Sequence, residues 1–251
     1  MALVHEMYHV VVGDDQEPFV GGFLVGALTI ACTALLEVMD MGAVRKVLNQ
    51  AGDGRALYRT ALLVNVLNLA VFGPSVWHVA VKHFASAPKS STSRALDTVA
   101  LVGIHAVGYY VAHAAMHRPS LYRFHRLHHR FHSNVTPVAA NCVSPFEFAA
   151  AYMLPFVIGI RMLRPDRIAL LAAVSWVSLT NLLVHTPSLA VMSARYLPAA
   201  FVGTHDHLEH HKRLTTMFAA PTISVDRIIA AAANALGVKK PTWPGPPPKG
   251  S

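Results

Sequence analysis

The chain has 251 residues, 53% of them hydrophobic and only 14% charged, with a mean hydropathy of +0.41. Soluble domains carry about 25% charged residues, so this composition excludes an ordinary soluble domain and indicates a polytopic membrane protein. The net charge of +8 comes from Lys and Arg scattered between apolar segments. That pattern suits loops bordering anionic lipid and speaks against a nucleic-acid partner.

The N-terminal segment MALVHEMYHVVVGDDQEPF has neither a basic start nor a small-residue cleavage site, so a cleaved signal peptide is not expected. Apolar runs follow at about residues 19–38, 61–81, 95–116, 146–160 and 168–184. About 20 helical residues cross a ~30 Å hydrocarbon core. The first three runs qualify, and the fourth is short enough for a half-span or part of a hairpin. Gly73-Pro74 should kink the second without ending it. No set of segments alternates with period two, so the fold is read as all-α with four to five transmembrane helices. Cys32 and Cys142 form no disulfide framework and read as small buried residues.

A basic, His-rich loop, residues 117–145, separates the third and fourth runs. After the fifth come HDHLEHH and FAAPTISVDRIIAAAANALG, the latter expected to be a short helix lying on the domain. The tail KKPTWPGPPPKGS cannot pack a core and is expected to be disordered. The chain thus divides into residues 1–94 (arm and first two spans), 95–236 (histidine-rich domain) and 237–251 (tail). Acids before the first span and Arg45, Lys46, Arg55 and Arg59 after it favour a cytosolic first loop. Alternation then puts both histidine-rich regions on the cytosolic face.

Sixteen histidines are present. His113 and His117 form HxxxH. His125, His128 and His129 form HxxHH, a pattern that His207, His210 and His211 repeat. His185 ends the fifth run, with Asn181 one turn earlier on the same face. Such spacings aim side chains from one helical face at a common point. Burying so many imidazoles near a bilayer without a metal would leave polar groups unpaired. Eight or more imidazoles suffice for two ions, and imidazole suits iron, copper, zinc and nickel alike. Glu147 and Glu209 are the acids able to join. By contrast His78, His83 and His105 read as packed or interfacial, and His5 and His9 as solvent residues.

HxxxH, HxxHH and HxxHH on a small polytopic chain resemble the fatty acid hydroxylase / sterol desaturase superfamily of membrane di-iron enzymes. HRPSLYRFHRLHH is similar to the family's linker between first and second boxes. SPFE resembles its HPxE element, with Ser144 where His is usual. MFAAPTISVDRI resembles its NFG…WDRLFGT segment, with Met217 in place of Asn. The resemblance covers roughly residues 95–230. It implies that His113, His117, His125, His128, His129, His207, His210 and His211 bind two irons, and His185 matches a further family histidine. Asn181 is placed to hold a water on the metal through its amide, with His132 and His205 as additional ligands or supports.

Breaking an unactivated C–H bond needs an oxidant beyond any side chain. The resemblance implies O₂-dependent hydroxylation or desaturation of a lipid, sterol-like or fatty acyl, in lipid biosynthesis. The HxxxH spacing favours the sterol-type branches. No flavin, heme or nicotinamide motif is present, so electrons are expected from a separate cytochrome b5 system. The implied location is the endoplasmic reticulum if the source is eukaryotic. Two other readings stay open: a non-redox metal-binding protein such as a zinc transporter or store, and an inactive family member serving as a scaffold.

Overall fold

The computed structural model describes residues 19–239, so His5, His9 and most of the Pro-rich tail lie outside the described residues. Within them the chain forms α1 (Val20–Met39), α2 (Met41–Leu48), α3 (Gly54–Phe84), α4 (Ser91–Met116) and α5 (Tyr122–His129). Then follow α6 (Pro145–Leu163), α7 (Arg167–Val184), α8 (Ala190–Tyr196), α9 (Thr204–Arg213) and α10 (Val225–Ala235). No strand forms among the described residues, although Phe201 and Ile223 make an isolated bridge. The fold is all-α, and α1, α3, α4, α6 and α7 are each long and apolar enough to cross a membrane. Together with their outward-facing apolar side chains, such as Leu63, Val99 and Met162, they point to an integral membrane protein.

The fourth apolar run, expected to be short, extends to 19 residues. It does so by passing through a π-turn at Phe148–Met153 just before Pro155. A second π-turn, Asn68–Phe72, precedes Pro74 in α3. Proline lacks an N–H and its ring clashes with the carbonyl four residues back. A widened turn absorbs both problems, so α3 continues past Gly73-Pro74 as expected and α6 continues past Pro155 to full span length. At one such turn α1 and α3 come close together: a Cβ on Gly26 would sit 2.1 Å from the Leu69 carbonyl oxygen.

At one end of the bundle Ser90 caps α4 and Asp166 caps α7, and Arg94 Nε donates to Asp166 at 2.5 Å. The bundle centre packs Leu101 of α4, Phe156 and Ile160 of α6, and Leu170, Ala173 and Val177 of α7. The opposite end carries the histidines.

The segment read as a loop, residues 117–145, is ordered, and its stretch from Val135 to Val143 is buried throughout. It contains α5 and a 3-10 turn at Pro137–Asn141. Polar side chains from inside the spans hold that turn. Glu37 of α1, also bonded by the Tyr58 hydroxyl, accepts from Val138 N at 3.0 Å. Asn65 of α3 donates to the Val138 carbonyl (2.8 Å), and Asn68 to those of Asn141 and Val143 (both 3.1 Å). The Tyr152 hydroxyl donates to the Ala140 carbonyl at 3.1 Å. Polar groups are costly within a membrane. Here they fix a turn whose own carbonyls support the histidines.

Candidate metal centre

Four helices deliver nine buried histidines to one place. The last turn of α4 presents His113 and is followed directly by His117. α5 carries His125, His128 and His129, His185 ends α7, and α9 carries His207, His210 and His211. All nine are 0–2% exposed. They fall into two groups whose ligand atoms lie within 4.8 Å of one another. One comprises His113, His117, His125, His129 and His210, and the other His128, His185, His207 and His211.

Helical geometry explains the division. At about 100° per residue, residues four apart sit about 40° from each other on the wheel. The pairs His125/His129 and His207/His211 therefore stay together. The third member of each HxxHH lies about 60° from one partner and about 100° from the other. His128 and His210 consequently cross to the opposite group. The groups abut, with the rings of His129 and His211 centred 4.7 Å apart.

Proton positions follow from the outward-facing ring nitrogens. Nδ1 of His113 meets the Phe218 carbonyl at 2.7 Å, and Nδ1 of His128 the Ala139 carbonyl at 3.1 Å. Nδ1 of His185 meets the Asn181 carbonyl (2.7 Å), and that of His210 the Thr216 carbonyl (2.8 Å). His125 Nδ1 lies 2.6 Å from Glu147 Oε1. Carbonyl oxygens only accept, so His113, His128, His185 and His210 carry their proton on Nδ1 and turn a bare Nε2 lone pair inward. Burial, reinforced for most by repulsion from neighbouring rings, pushes the pKa values of His117, His125, His128, His129, His207 and His211 well down. Those of His185 and His210 fall to about 4, burial outweighing the carbonyl each donates to. The rings are neutral, as ligands must be.

Inward-facing nitrogens then crowd together. His113 and His125 Nε2 are 2.9 Å apart, His125 and His129 2.8 Å, His117 and His129 3.2 Å. In the other group His185 and His207 are 2.8 Å apart, and His207 and His211 3.1 Å. Metal–nitrogen bonds of ~2.0–2.1 Å put neighbouring ligand atoms about 2.8–3.4 Å apart, which matches. Nε2 of His128 and of His210 is likewise buried without a hydrogen-bond partner. The residues fit a pair of metal ions.

Supports around the rings were only partly visible in the sequence. Glu147 is fully buried and orients His125, while Ser144 caps its helix by accepting from Glu147 N at 3.1 Å. Glu209 instead pairs with Lys212 and Arg213 on the outside of α9. Asn181 meets the site through its backbone carbonyl. Its amide nitrogen donates to the Ala140 carbonyl at 3.0 Å, and its Oδ1 is buried without a hydrogen-bond partner. His132 and His205 are exposed and belong to neither group. His83 is exposed, and His105 packs against Phe156 with ring centres 4.5 Å apart. The Thr216 and Phe218 carbonyls carry no side-chain signature. They are set by Met217 at φ 57 and by Asp226, which accepts from Ala219 N at 2.7 Å.

Imidazoles alone, gathered at the ends of membrane helices, define a membrane protein with two adjacent histidine groups that could each hold a metal ion. A family model for fatty acid hydroxylases matches residues 98–231. The chain belongs to that family, within the histidine-box sterol desaturase/fatty acid hydroxylase superfamily. Among the curated proteins and the solved structures, none matches the chain. Family and histidine cluster together point to a membrane oxygenase, a hydroxylase-type oxidoreductase.

Proposed function

We propose that the protein is an O₂-dependent di-iron enzyme that hydroxylates or desaturates a membrane lipid, sterol-like or fatty acyl. One observation carries this reading: nine neutral imidazoles form adjacent groups of five and four, several with their protons locked outward. Bound there, two ferrous ions supply the activation of O₂ and the oxidation of a C–H bond. The group of five would be His113, His117, His125, His129 and His210, and the group of four His128, His185, His207 and His211. Neither group contains a thiolate, and both together exceed the three or four ligands of one zinc. Fewer than six nitrogens at each centre leave room for exogenous ligands on an ion that favours six.

The chain's own residues do the positioning. Carbonyls of Ala139, Asn181, Thr216 and Phe218, with the Glu147 carboxylate, hold the rings against rotation, so little reorganisation accompanies the reaction. The buried Phe218 ring packs against those of His113, His117 and His210 and would keep water from the centre, which protects a strong oxidant from side reactions. Electrons would come from a separate donor, a cytochrome b5 system, with the histidine end facing the cytosol and, in a eukaryote, the endoplasmic reticulum as the membrane. Metal analysis of the purified protein tests the reading directly. Two irons per chain, with a hydroxylated or desaturated lipid formed only when O₂ and an electron donor are supplied, are expected. One zinc and no lipid oxidation would sink it.

A further inference from the structure

The rings of His128 and His185, both in the group of four, meet edge to face with their centres 5.2 Å apart. A chain of bonds joins them behind the site. His128 Nδ1 donates to the Ala139 carbonyl at 3.1 Å, and the next carbonyl, that of Ala140, accepts from Asn181 Nδ2 at 3.0 Å. Asn181 in turn offers its own backbone carbonyl to His185 Nδ1 at 2.7 Å. The Ala140 carbonyl accepts a second bond, from the Tyr152 hydroxyl at 3.1 Å. Tyr152 comes from the π-turn of α6 and Asn181 from the last turn of α7, so two spans converge on one backbone oxygen. Nδ1 of the other two members, His207 and His211, is buried without a partner. Among the described residues, the hydrogen-bonded supports of this group thus lie on one path through Ala139, Ala140 and Asn181. The group of five is braced instead by Glu147 and by the Thr216 and Phe218 carbonyls.

We infer that Asn181 and Tyr152 are positioning residues for the ion in the group of four and not for its neighbour. Together they clamp Ala140 and so fix the spacing of the two carbonyls that aim His128 and His185. The inference rests on the reading of the histidines as two metal sites. A functional constellation has to be held to within about 0.5 Å, and the groups behind the ligands do the holding. Glu37, Asn65 and Asn68 tie the turn at Pro137–Asn141 to α1 and α3. Those bonds set its place against the first two spans but not against α7, which carries His185. The Asn181 amide supplies that link. Its chemistry shows which half of the amide the position uses. Asn181 Oδ1 is buried without a partner, and a lone buried acceptor is destabilising. A leucine of similar shape would pack there without that cost, but it could not hold Ala140.

Chelator titration of the full, metal-loaded chain, read as two binding steps, tests this. His128→Ala marks the step that belongs to the group of four, because it removes one of that group's imidazoles. Asn181→Leu keeps the bulk of the side chain and the backbone carbonyl but cannot donate. It should weaken the marked step by ~10–100-fold, the range for loss of a ligand's support, and leave the other step at the parent value. Tyr152→Phe keeps the ring and loses only the hydroxyl. It should act on the same step with a smaller effect, because Asn181 still holds the carbonyl, and it carries the test alone if Asn181→Leu does not fold. A role in general stability would weaken both steps together. Both steps weakened alike, neither step changed, or a loss confined to the group of five would each overturn the inference. A parent that binds a single ion overturns the two-site reading and the inference with it, whereas a two-site parent with indifferent variants overturns only the clamp.

Discussion

The two HxxHH segments share spacing and both divide two-to-one between the metal groups, yet they are held differently. On α5, His125 is fixed by a carboxylate, Glu147, and His128 by the Ala139 carbonyl of a turn anchored to α1 and α3. On α9, His210 is fixed by the Thr216 carbonyl from the chain immediately after the helix, beyond Leu214 at φ 61. The α5 box is thus braced by distant parts of the sequence and the α9 box by its own exit turn. Equal motifs give equal ligand geometry, but their robustness depends on what stands behind them.

The division of the boxes yields the largest expected effect. His128→Ala removes one of four imidazoles from its group, whereas His210→Ala removes one of five from the other. Both should abolish lipid oxidation, a greater loss than the ~10–100-fold typical when only a ligand's support is removed. His128→Ala should also lower bound metal more than His210→Ala, as read by metal analysis of folded protein. His83→Ala, at an exposed position, should match the parent. Equal metal loss in the two box variants would show that the groups do not bind independently.

Glu147→Gln probes the side-chain brace. It keeps the shape but replaces the carboxyl oxygen bonded to His125 Nδ1 with an amide that can hold the ring only through its carbonyl. Metal affinity should fall by ~10–100-fold, measured by competition with a chelator. Ser144→Ala removes the cap that positions Glu147 and should cost about 1 kcal/mol of stability, with a smaller loss of affinity. An unchanged affinity in Glu147→Gln would mean that packing alone orients His125.

Much of this was legible because it depends on local periodicity. Apolar runs of span length declared the helices, and i, i+3 and i+4 spacing picked out histidines that the structure gathers into two buried groups. Helical geometry even contains the crossing of His128 and His210 once both boxes are helical. What stayed hidden depends on contacts between distant segments. Glu37, Asn65 and Asn68 look like misplaced polar residues in apolar runs, and only the packed turn at Pro137–Asn141 gives them a purpose. Carbonyl supports leave no mark on side-chain identity. Ser144 looked like a departure from the HPxE pattern, yet a serine three residues before a glutamate is also a helix-capping signal, and the structure uses it so. Met217, likewise a departure, is the instructive one.

Met217 sits at φ 57 between the two residues whose carbonyls hold His210 and His113. The left-handed region costs a residue with a Cβ roughly 1–2 kcal/mol, and Asn tolerates it best after Gly. The turn must take this conformation to aim two carbonyls at two rings, so Met217 bears strain that Asn would relieve. Met217→Asn is therefore expected to be stabilising, with about 1 kcal/mol corresponding to a ~2–4 °C rise in Tm for a chain of this size. Met217→Val, branched at Cβ and least tolerant of positive φ, should lower Tm and weaken metal binding, because the turn can relax only by turning its carbonyls away. Melting curves and chelator competition on the metal-loaded protein read both effects. A Met217→Asn variant no more stable than the parent, beside a Met217→Val variant that melts normally, would show that the turn is set by Asp226 and its neighbours and not by the conformation of residue 217.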